Sequence, residues 1–559
     1  MTFTVSSDDR HGMALSLLRA GRLKESVSAF NEILRQDPLS VPARMGLAEA
    51  CLRCDDGWTA AAWLSDACRV APQDVGVWQE LIGLLARQER HSEVAPVLES
   101  AAALHPFALR FLEPLAEHHL RCANHARAVD LYRRLAALDA RSSSTQLHLG
   151  FALENVGELD EAIVHYRQAI ALNPDLVEAH VDLAGVLWRV CDFEGALQHA
   201  QRAVALAPDS AYAQRILGTA LLHLNRLAQS EAQLRHAIEL RPDLFMARFD
   251  LALLLLLAGR LEEGWAAYAR RWDEAGALPR PDFYQAEREW QGPVLQALEG
   301  RRILVYAEQG MGDVIQFIRY LRLLQNDGAT VYCAVPAPLI ALIESIPGVQ
   351  CVKPGLEGRI DYHVALLDLP GHYRTTLQTV PASVPYLWAD AARAGRWRER
   401  LRAWDGRFKI GIAWAGQPEQ VNDRNRSMPL SEFAPLLALD GVQCFSLQKT
   451  ASARFTDLTV DPDALVDFTA DWNDFADSAA MISNLDLVIS VDSAAAHLAG
   501  ALGRPVWTVL APNADWRWLL EREDSPWYPT MRLFRRGFGE ARADQMRRVT
   551  QALTQRLGA

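Results

Sequence analysis

The sequence predicts an α plus α/β multidomain protein: a helical-repeat solenoid followed by two α/β lobes. Three observations carry this. Prolines recur on a 34-residue grid through the first half. The helical period stops near Leu278-Pro-Arg-Pro-Asp282. Beyond Arg301 short apolar strands alternate with helices, the pattern of parallel sheets. A length of 559 residues leaves room for three or four units of about 150 residues each.

Half the residues are hydrophobic and 23% are charged, so sizeable cores can be buried. The net charge of −12 leaves no basic footprint, which argues against nucleic acid or an anionic membrane surface as main partner. Met1–Arg10 lacks the basic start and apolar core of a signal peptide. The longest apolar run, Leu251–Ala258, falls far short of the roughly 20 residues of a membrane span. A cytoplasmic location is expected. The eight cysteines form no framework; Cys51 and Cys54 make a CxxC inside a helical pattern and read as packing residues rather than as zinc or redox ligands.

Pro38, Pro72, Pro106, Pro174, Pro208 and Pro242 are spaced 34, 34, 68, 34 and 34 residues apart, and Ala140 fills the missed slot. This is the period of tetratricopeptide repeats. Twenty-four residues before each slot a small residue should let the first helix approach the second: Ala14, Ala48, Ala116, Gly150, Ala184, Gly218 and Ala252 comply, Ile82 does not. Twelve before it stand Ser26, Ala60, Ala128, Ala162, Ala196, Ser230 and Gly264, with Val94 the exception. Eight before it, larger residues pack between repeats: Phe30, Leu64, Leu98, Tyr132, Tyr166, Leu234 and Tyr268, with Ala200 the exception. Such units bury their faces only by stacking, and the resulting groove suits a protein segment better than a mere spacer or dimerisation arm would.

The first half resembles tetratricopeptide proteins, including protein O-glycosyltransferases that join such repeats to a catalytic half. In the animal O-linked N-acetylglucosamine enzyme an asparagine row grips the peptide. The corresponding slot, 26 before each Pro, here holds Gly12, Gly46, Glu80, Pro114, His148, Asp182, Ile216 and Asp250, so a client must be held differently.

In the second half, strands are predicted at Arg302–Ala307, Thr330–Val335 and Tyr362–Leu367, then at Lys409–Trp414, Val442–Leu447, Leu487–Val491 and Pro505–Leu510. Helices follow at Val314–Gln325, Phe475–Asn484 and Ala494–Leu502. The expected division is a solenoid at residues 1–276, a linker at 277–300, a first Rossmann-like lobe at 301–390, an interlobe linker at 391–408 and a second Rossmann-like lobe at 409–559. Ligands in open α/β sheets sit at the carboxyl ends of the strands, and three such ends are rich in chemistry.

At the first, Glu308-Gln-Gly310-Met-Gly312-Asp313, glycines permit close backbone approach, and Asp313 stands at a helix start. It reads equally as a helix cap or as a general base. Gln316 and Arg319 follow it, either assisting or only solvating the helix. At the second, Trp414-Ala-Gly416 is followed by Arg424-Asn-Arg426-Ser427, whose guanidinium forks suit a phosphate. At the third, a buried strand delivers Asp492 and Ser493 ahead of a small-residue helix, with His497 one turn further on. Pro512, Asn513, Asp515, Trp516 and Arg517 could close over a base or sugar, and Trp516 and Trp518 equally read as core. Asp461-Pro-Asp463 reads as a turn rather than a metal-holding DxD.

Gly310-Met-Gly-Asp313, Trp414-Ala-Gly416 and Val491-Asp-Ser-Ala-Ala-Ala-His-Leu-Ala499, followed by Gly503-Arg-Pro-Val506 and Pro512, resemble the ADP-heptose:lipopolysaccharide heptosyltransferase family over roughly Arg301–Arg536. The resemblance implies a GT-B fold and metal-independent, inverting transfer. Asp313 would be the base; Gly310, Gly312, Trp414, Gly416, Arg424, Arg426, Ser427, Asp492, Ser493 and His497 would bind the donor. That family has a Lys where this chain has Arg424 and Arg426. With the repeats, the chain is similar to bacterial flagellin glycosyltransferases that attach nonulosonic acids such as pseudaminic acid to Ser/Thr. The expected partners are a client protein in the repeat groove, flagellin first, and a nucleotide-sugar as substrate. No metal and no other cofactor is expected, and a homo-oligomer is compatible with the solenoid. Two rival readings are a transferase acting on lipopolysaccharide or another glycan, and a non-catalytic adaptor or chaperone.

Overall fold

The computed structural model describes residues 7–273, 280–352, 360–418, 420, 422–449 and 463–558. Asp461 and Pro462 of the DxD-like turn lie outside the described residues, as do Gly276 and Leu278 at the predicted end of the repeats. By its contacts the chain divides into two compact units, Met1–Val186 and Leu187–Ala559.

The first unit is a run of antiparallel helix pairs, beginning with Ser7–Arg19 and Leu23–Gln36 and then Val41–Arg53 and Gly57–Val70. Side-chain caps start several of them: Asp56 accepts from the Thr59 N–H and Ser142 from the Thr145 N–H. The slot residues meet as the sequence requires. A Cβ placed on Gly150 would come within 2.8 Å of the Tyr166 ring, so only glycine admits that ring. Ser26 donates its hydroxyl to the Ala14 carbonyl at 2.9 Å, tying the second helix of a repeat to the first.

The second unit begins with the remaining repeats, in which Ser230 bonds the Gly218 carbonyl at 2.6 Å in the same way. The last helices, Phe245–Leu257 and Leu261–Tyr268, end in a 3₁₀ turn at Ala269–Trp272. They dock on the α/β part rather than trailing into it. Trp265 donates its indole N–H to the Thr375 carbonyl and packs edge-on against Trp516 and Phe317. Asn225 donates to the Pro512 carbonyl at 3.0 Å. Within the predicted linker Trp290 is fully buried, and its backbone N–H donates to the His363 carbonyl at 2.9 Å.

Two parallel sheets follow. The first holds β1 (Arg302–Tyr306), β2 (Thr330–Ala334), β3 (Val349–Cys351) and β4 (Tyr362–Ala365) in the order β3-β2-β1-β4. The second holds β5 (Phe408–Ala413), β6 (Val442–Ser446), β7 (Leu465–Val466), β8 (Leu487–Val491), β9 (Val506–Leu510) and β10 (Met531–Arg535) in the order β10-β9-β8-β5-β6-β7. These strands pair with one another in parallel throughout. Numbered from its own first strand, the second sheet has the 3-2-1-4-5-6 order of a doubly wound nucleotide-binding fold. The chain is therefore a tetratricopeptide solenoid followed by two Rossmann-like lobes. The strand order reverses between β1 and β4 and again between β5 and β8, and loops open outward at such points to receive a ligand. The interlobe stretch is largely a helix, Ala391–Leu401, pinned to the second lobe by Arg393 on Asp474 at 2.7 Å and Asp477 at 3.0 Å. Among the described residues no helix is long and apolar enough to cross a membrane.

Candidate functional site

A cavity of about 960 Å³ opens between the two lobes, lined by the loops at the carboxyl ends of β1, β5, β6, β8 and β9. β1 delivers Gly310, Gly312 and Asp313; β5 delivers Gly416 and, further on, Arg426; β6 delivers Gln448 and Lys449; β8 delivers Asp492, Ser493 and His497; β9 delivers Asp515 and Arg517.

Asp313 is held from two sides. Its Oδ2 accepts the Gly310 N–H at 3.0 Å, capping the helix Met311–Phe317, and its Oδ1 is ion-paired with Arg517 of the other lobe. Arg517 also donates to Gln316 at 2.7 Å and to Asp515 at 2.7 Å, so one buried guanidinium ties the first lobe's motif to the second lobe. Burial pushes the Asp313 carboxyl up from the ordinary carboxylate range, with Arg517 opposing. Gly312 lies close against the other lobe: a Cβ there would stand 3.1 Å from His497 Cδ2 and 3.8 Å from Ala494 Cα.

On the second lobe, Ser493 precedes the helix Ala494–Ala501 without capping it; its hydroxyl lies 2.8 Å from the Ser490 hydroxyl, and the first helical residues line the cavity. That leaves first-turn N–H groups available to an anion. His497 stacks on Trp518 and places Nδ1 2.9 Å from the Tyr528 hydroxyl. Burial, aided by Arg517, Arg319 and Arg426, drives its pKa far below the ordinary value, so the ring is neutral at pH 7. Burial raises the Asp492 carboxyl, Asp515 adding to the effect and Arg426 opposing it. Arg426 lies across Gly416, where any Cβ would collide with the guanidinium. Lys449 donates its ammonium to the Trp472 carbonyl at the cavity wall.

Eight of the residues read from the sequence thus meet in one cleft: Gly310, Gly312, Asp313, Gly416, Arg426, Asp492, Ser493 and His497. Three do not. Trp414, directly after β5, is buried in the second lobe's core, in the cluster that also holds Met428 and Ile489. Ser427 is wholly buried, donating to Asp423 at 2.6 Å and accepting the Gly416 N–H at 2.9 Å, so it shapes the glycine turn from behind. Arg424 is exposed and lines a different cavity; it sits two residues from Arg426 on the short helix Asp423–Arg426, and a helical step of two turns the side chains to opposite faces. Arg319 departs from the solvating role read from the sequence. It does not solvate its helix but is buried, donating to the Trp527 carbonyl at 2.6 Å and the Tyr386 hydroxyl at 2.9 Å. Trp516 and Trp518 are core residues.

Sequence reasoning left Lys449 unnamed and gave Arg517 no firm role. The signal for Lys449 was its place directly after a buried strand in a chain where lysine is rare. The Glu308 side chain is buried, and Arg271 from the last repeat bridges it at 2.7 Å to Asp368 at 2.6 Å. Two carboxylates share that one guanidinium, and burial pushes Glu308 up to about 7. Tyr268 of the same repeat holds the Gln309 side chain.

Helical repeats joined to a pair of parallel-sheet lobes, with a cleft at the strand ends, define a repeat-bearing α/β protein. Known families agree in kind. Tetratricopeptide-repeat models match residues 11–75, 186–244 and 155–190, and the model described as glycosyltransferase family 9 (heptosyltransferase) matches residues 473–543. The chain therefore carries tetratricopeptide repeats and, in its second lobe, a glycosyltransferase family 9 segment that includes Asp492, Ser493, His497 and Arg517. Protein FlbA of Caulobacter vibrioides is 30% identical over 306 residues, 49% of this chain and 49% of FlbA, so the match spans about half the length of that relative. Among solved structures, MamA from Desulfovibrio magneticus RS-1 is 19% identical with a TM-score of 0.27, covering 29% of this chain and 93% of MamA. YrrB, a TPR protein with an unusual peptide-binding site, is 17% identical with a TM-score of 0.30, covering 34% of this chain and 96% of YrrB.

Proposed function

We propose that this protein is a GT-B glycosyltransferase that moves a sugar from a nucleotide donor in the interlobe cleft to a Ser/Thr hydroxyl of a polypeptide client recruited by the repeats. The observation that carries the reading is the convergence of Gly310–Asp313, Gly416, Arg426 and Asp492–His497 in one cleft at the strand ends, where the family 9 segment contributes one wall.

The acceptor oxygen attacks the anomeric carbon as the bond from that carbon to the donor's phosphate oxygen breaks, which inverts the centre. The electron pair leaves on the phosphate. Arg426, Lys449 and the first-turn N–H groups after Ser493 supply positive charge for that departure without calling on a metal. The hydroxyl proton goes to Asp313. Each of its oxygens already accepts one hydrogen bond and keeps a second lone pair, and its raised pKa makes it a stronger base than an ordinary carboxylate. His497, being neutral, orients donor groups without adding charge.

Flagellin is the client and a nonulosonic acid the sugar that the resemblance to repeat-bearing flagellin glycosyltransferases favours. The family 9 match, described as heptosyltransferase, favours a second reading in which the acceptor is a lipopolysaccharide sugar. Mass spectrometry of flagellin and lipopolysaccharide from a deletion strain separates the two. Loss of sugar from flagellin alone supports the protein client; loss from lipopolysaccharide alone supports the second reading.

A further inference from the structure

A second cavity, of about 540 Å³, shares one turn with the cleft. Asn422 and Arg426 line the cleft, whereas Arg424 and Asn425 between them line this one. The other walls come from the repeat turn at Cys191 and Phe193 and from the loop after β10, which carries Arg536, Phe538 and Arg542.

Its charges do not balance. Arg424, Arg536 and Arg542 share the lining with a single carboxylate, Glu540, which is committed elsewhere: it accepts from Arg548 at 3.1 Å and from the Gly537 N–H at 2.6 Å, and the charge of Glu432 reaches Arg536 from outside the lining. Arg542 donates to the Arg424 carbonyl at 3.1 Å. Among the described residues no carboxylate pairs with Arg424 or Arg536. Burial, and then the charge of Arg542, hold the Arg536 guanidinium below its ordinary pKa. A half-buried cation beside a like charge is stabilised by an incoming anion. Val190, Phe193, Pro512 and Phe538 give the wall an apolar part, and Phe538 leaves 48% of its surface exposed.

We propose that this cavity binds an acidic peptide segment, carboxylates on Arg424, Arg536 and Arg542 and an apolar side chain against Phe193 and Phe538. A compact phosphate suits it less. The cations stand on separate segments, and the Gly537 N–H that could join an anion-binding nest is taken by Glu540. The segment belongs to the client, because the repeat turn Cys191–Phe193 is itself part of the wall. This assignment of the occupant rests on the polypeptide-acceptor reading above.

The test is fluorescence anisotropy on the full chain with a labelled peptide alternating Glu, Leu and Ser, its Gln-for-Glu analogue, and inorganic pyrophosphate as competitor. The Glu peptide should bind at least about tenfold more tightly than the Gln analogue and weaken with added salt. Arg536→Gln and Arg542→Gln should each remove about tenfold of that affinity, while binding of ADP, UDP or CMP and the thermal melt stay at wild-type values. Equal affinity for the two peptides, or no effect of either substitution, overturns the site. Tighter binding of pyrophosphate with displacement of the peptide overturns it in favour of a phosphate ligand. Glycosyl transfer measured in parallel separates the failures. Arginine-dependent peptide binding without transfer supports the site and removes the transferase reading; transfer without discrimination between the peptides removes the site alone.

Discussion

Asp313 and Arg517 face each other across the lobes, and their pairing decides what substitutions there will do. Asp313→Asn keeps an acceptor for the Gly310 N–H but cannot take a proton. Transfer should fall by about 10²–10⁴ in kcat with little change in KM for the donor; unchanged kcat would remove the base role. Because burial raises the Asp313 pKa, the acid limb of the pH–rate profile should lie above the ordinary carboxylate value of 3.8, activity rising with pH as the group ionises. Gly416→Ala makes a different prediction. Its Cβ collides with the Arg426 guanidinium, so donor KM should rise while the melting temperature barely moves. At this scale the sequence was most informative where a residue type is tied to a strand end, as with Asp492 and Ser493 after β8. It was least informative where a helical turn splits neighbours, as with Arg424 and Arg426. It could not show that Arg517 would reach Asp313, which lies 204 positions away in the chain.

Elements carry the next set of constraints. In the repeats, Gly150 admits Tyr166 by lacking a Cβ, so Gly150→Ala should cost about 1–3 kcal/mol by overpacking, read from denaturant unfolding. The helices of the repeats were legible because proline and small residues recur at fixed offsets. β8 and β9 were legible because every residue in each is buried. β3, β7 and β10 were not, β7 being only the two residues Leu465–Val466. β3 is three residues long, and β10 places arginines at both its second and last positions, hiding the apolar alternation. The turn after β1 rests on the buried group Glu308–Arg271–Asp368. Glu308 titrates near 7 in the fold against an ordinary 4.5, so the folded state binds its proton more tightly than the unfolded chain. The stability it contributes is complete below about 4.5 and is lost as pH rises to about 7, at about 1.4 kcal/mol per pH unit at most. Glu308→Gln should remove that slope, so the variant should gain on the wild type between those two values; parallel stability–pH curves would contradict the assignment.

At the scale of the whole molecule, the last repeats belong to the α/β part as much as to the solenoid. Trp265, Tyr268 and Arg271 reach Trp516, Gln309 and Glu308, so a chain lacking Phe245–Trp272 should lose cooperative unfolding of the first lobe. A chain that merely starts at Leu187 should retain nucleotide binding, because both lobes and their docking helices remain. The composition shift near Leu278 was visible in the sequence, but the docking was not, since it depends on side chains brought together by the fold. In the proposed function the interlobe cleft passes a sugar from a nucleotide to a polypeptide hydroxyl. The most direct test is the intact mass of purified flagellin after incubation with the full chain and a panel of nucleotide-sugars. A sugar-sized mass increment is expected with at least one donor, and its loss with Arg426→Gln and with Asp313→Asn. An increment of equal size and rate with both substituted chains would contradict it.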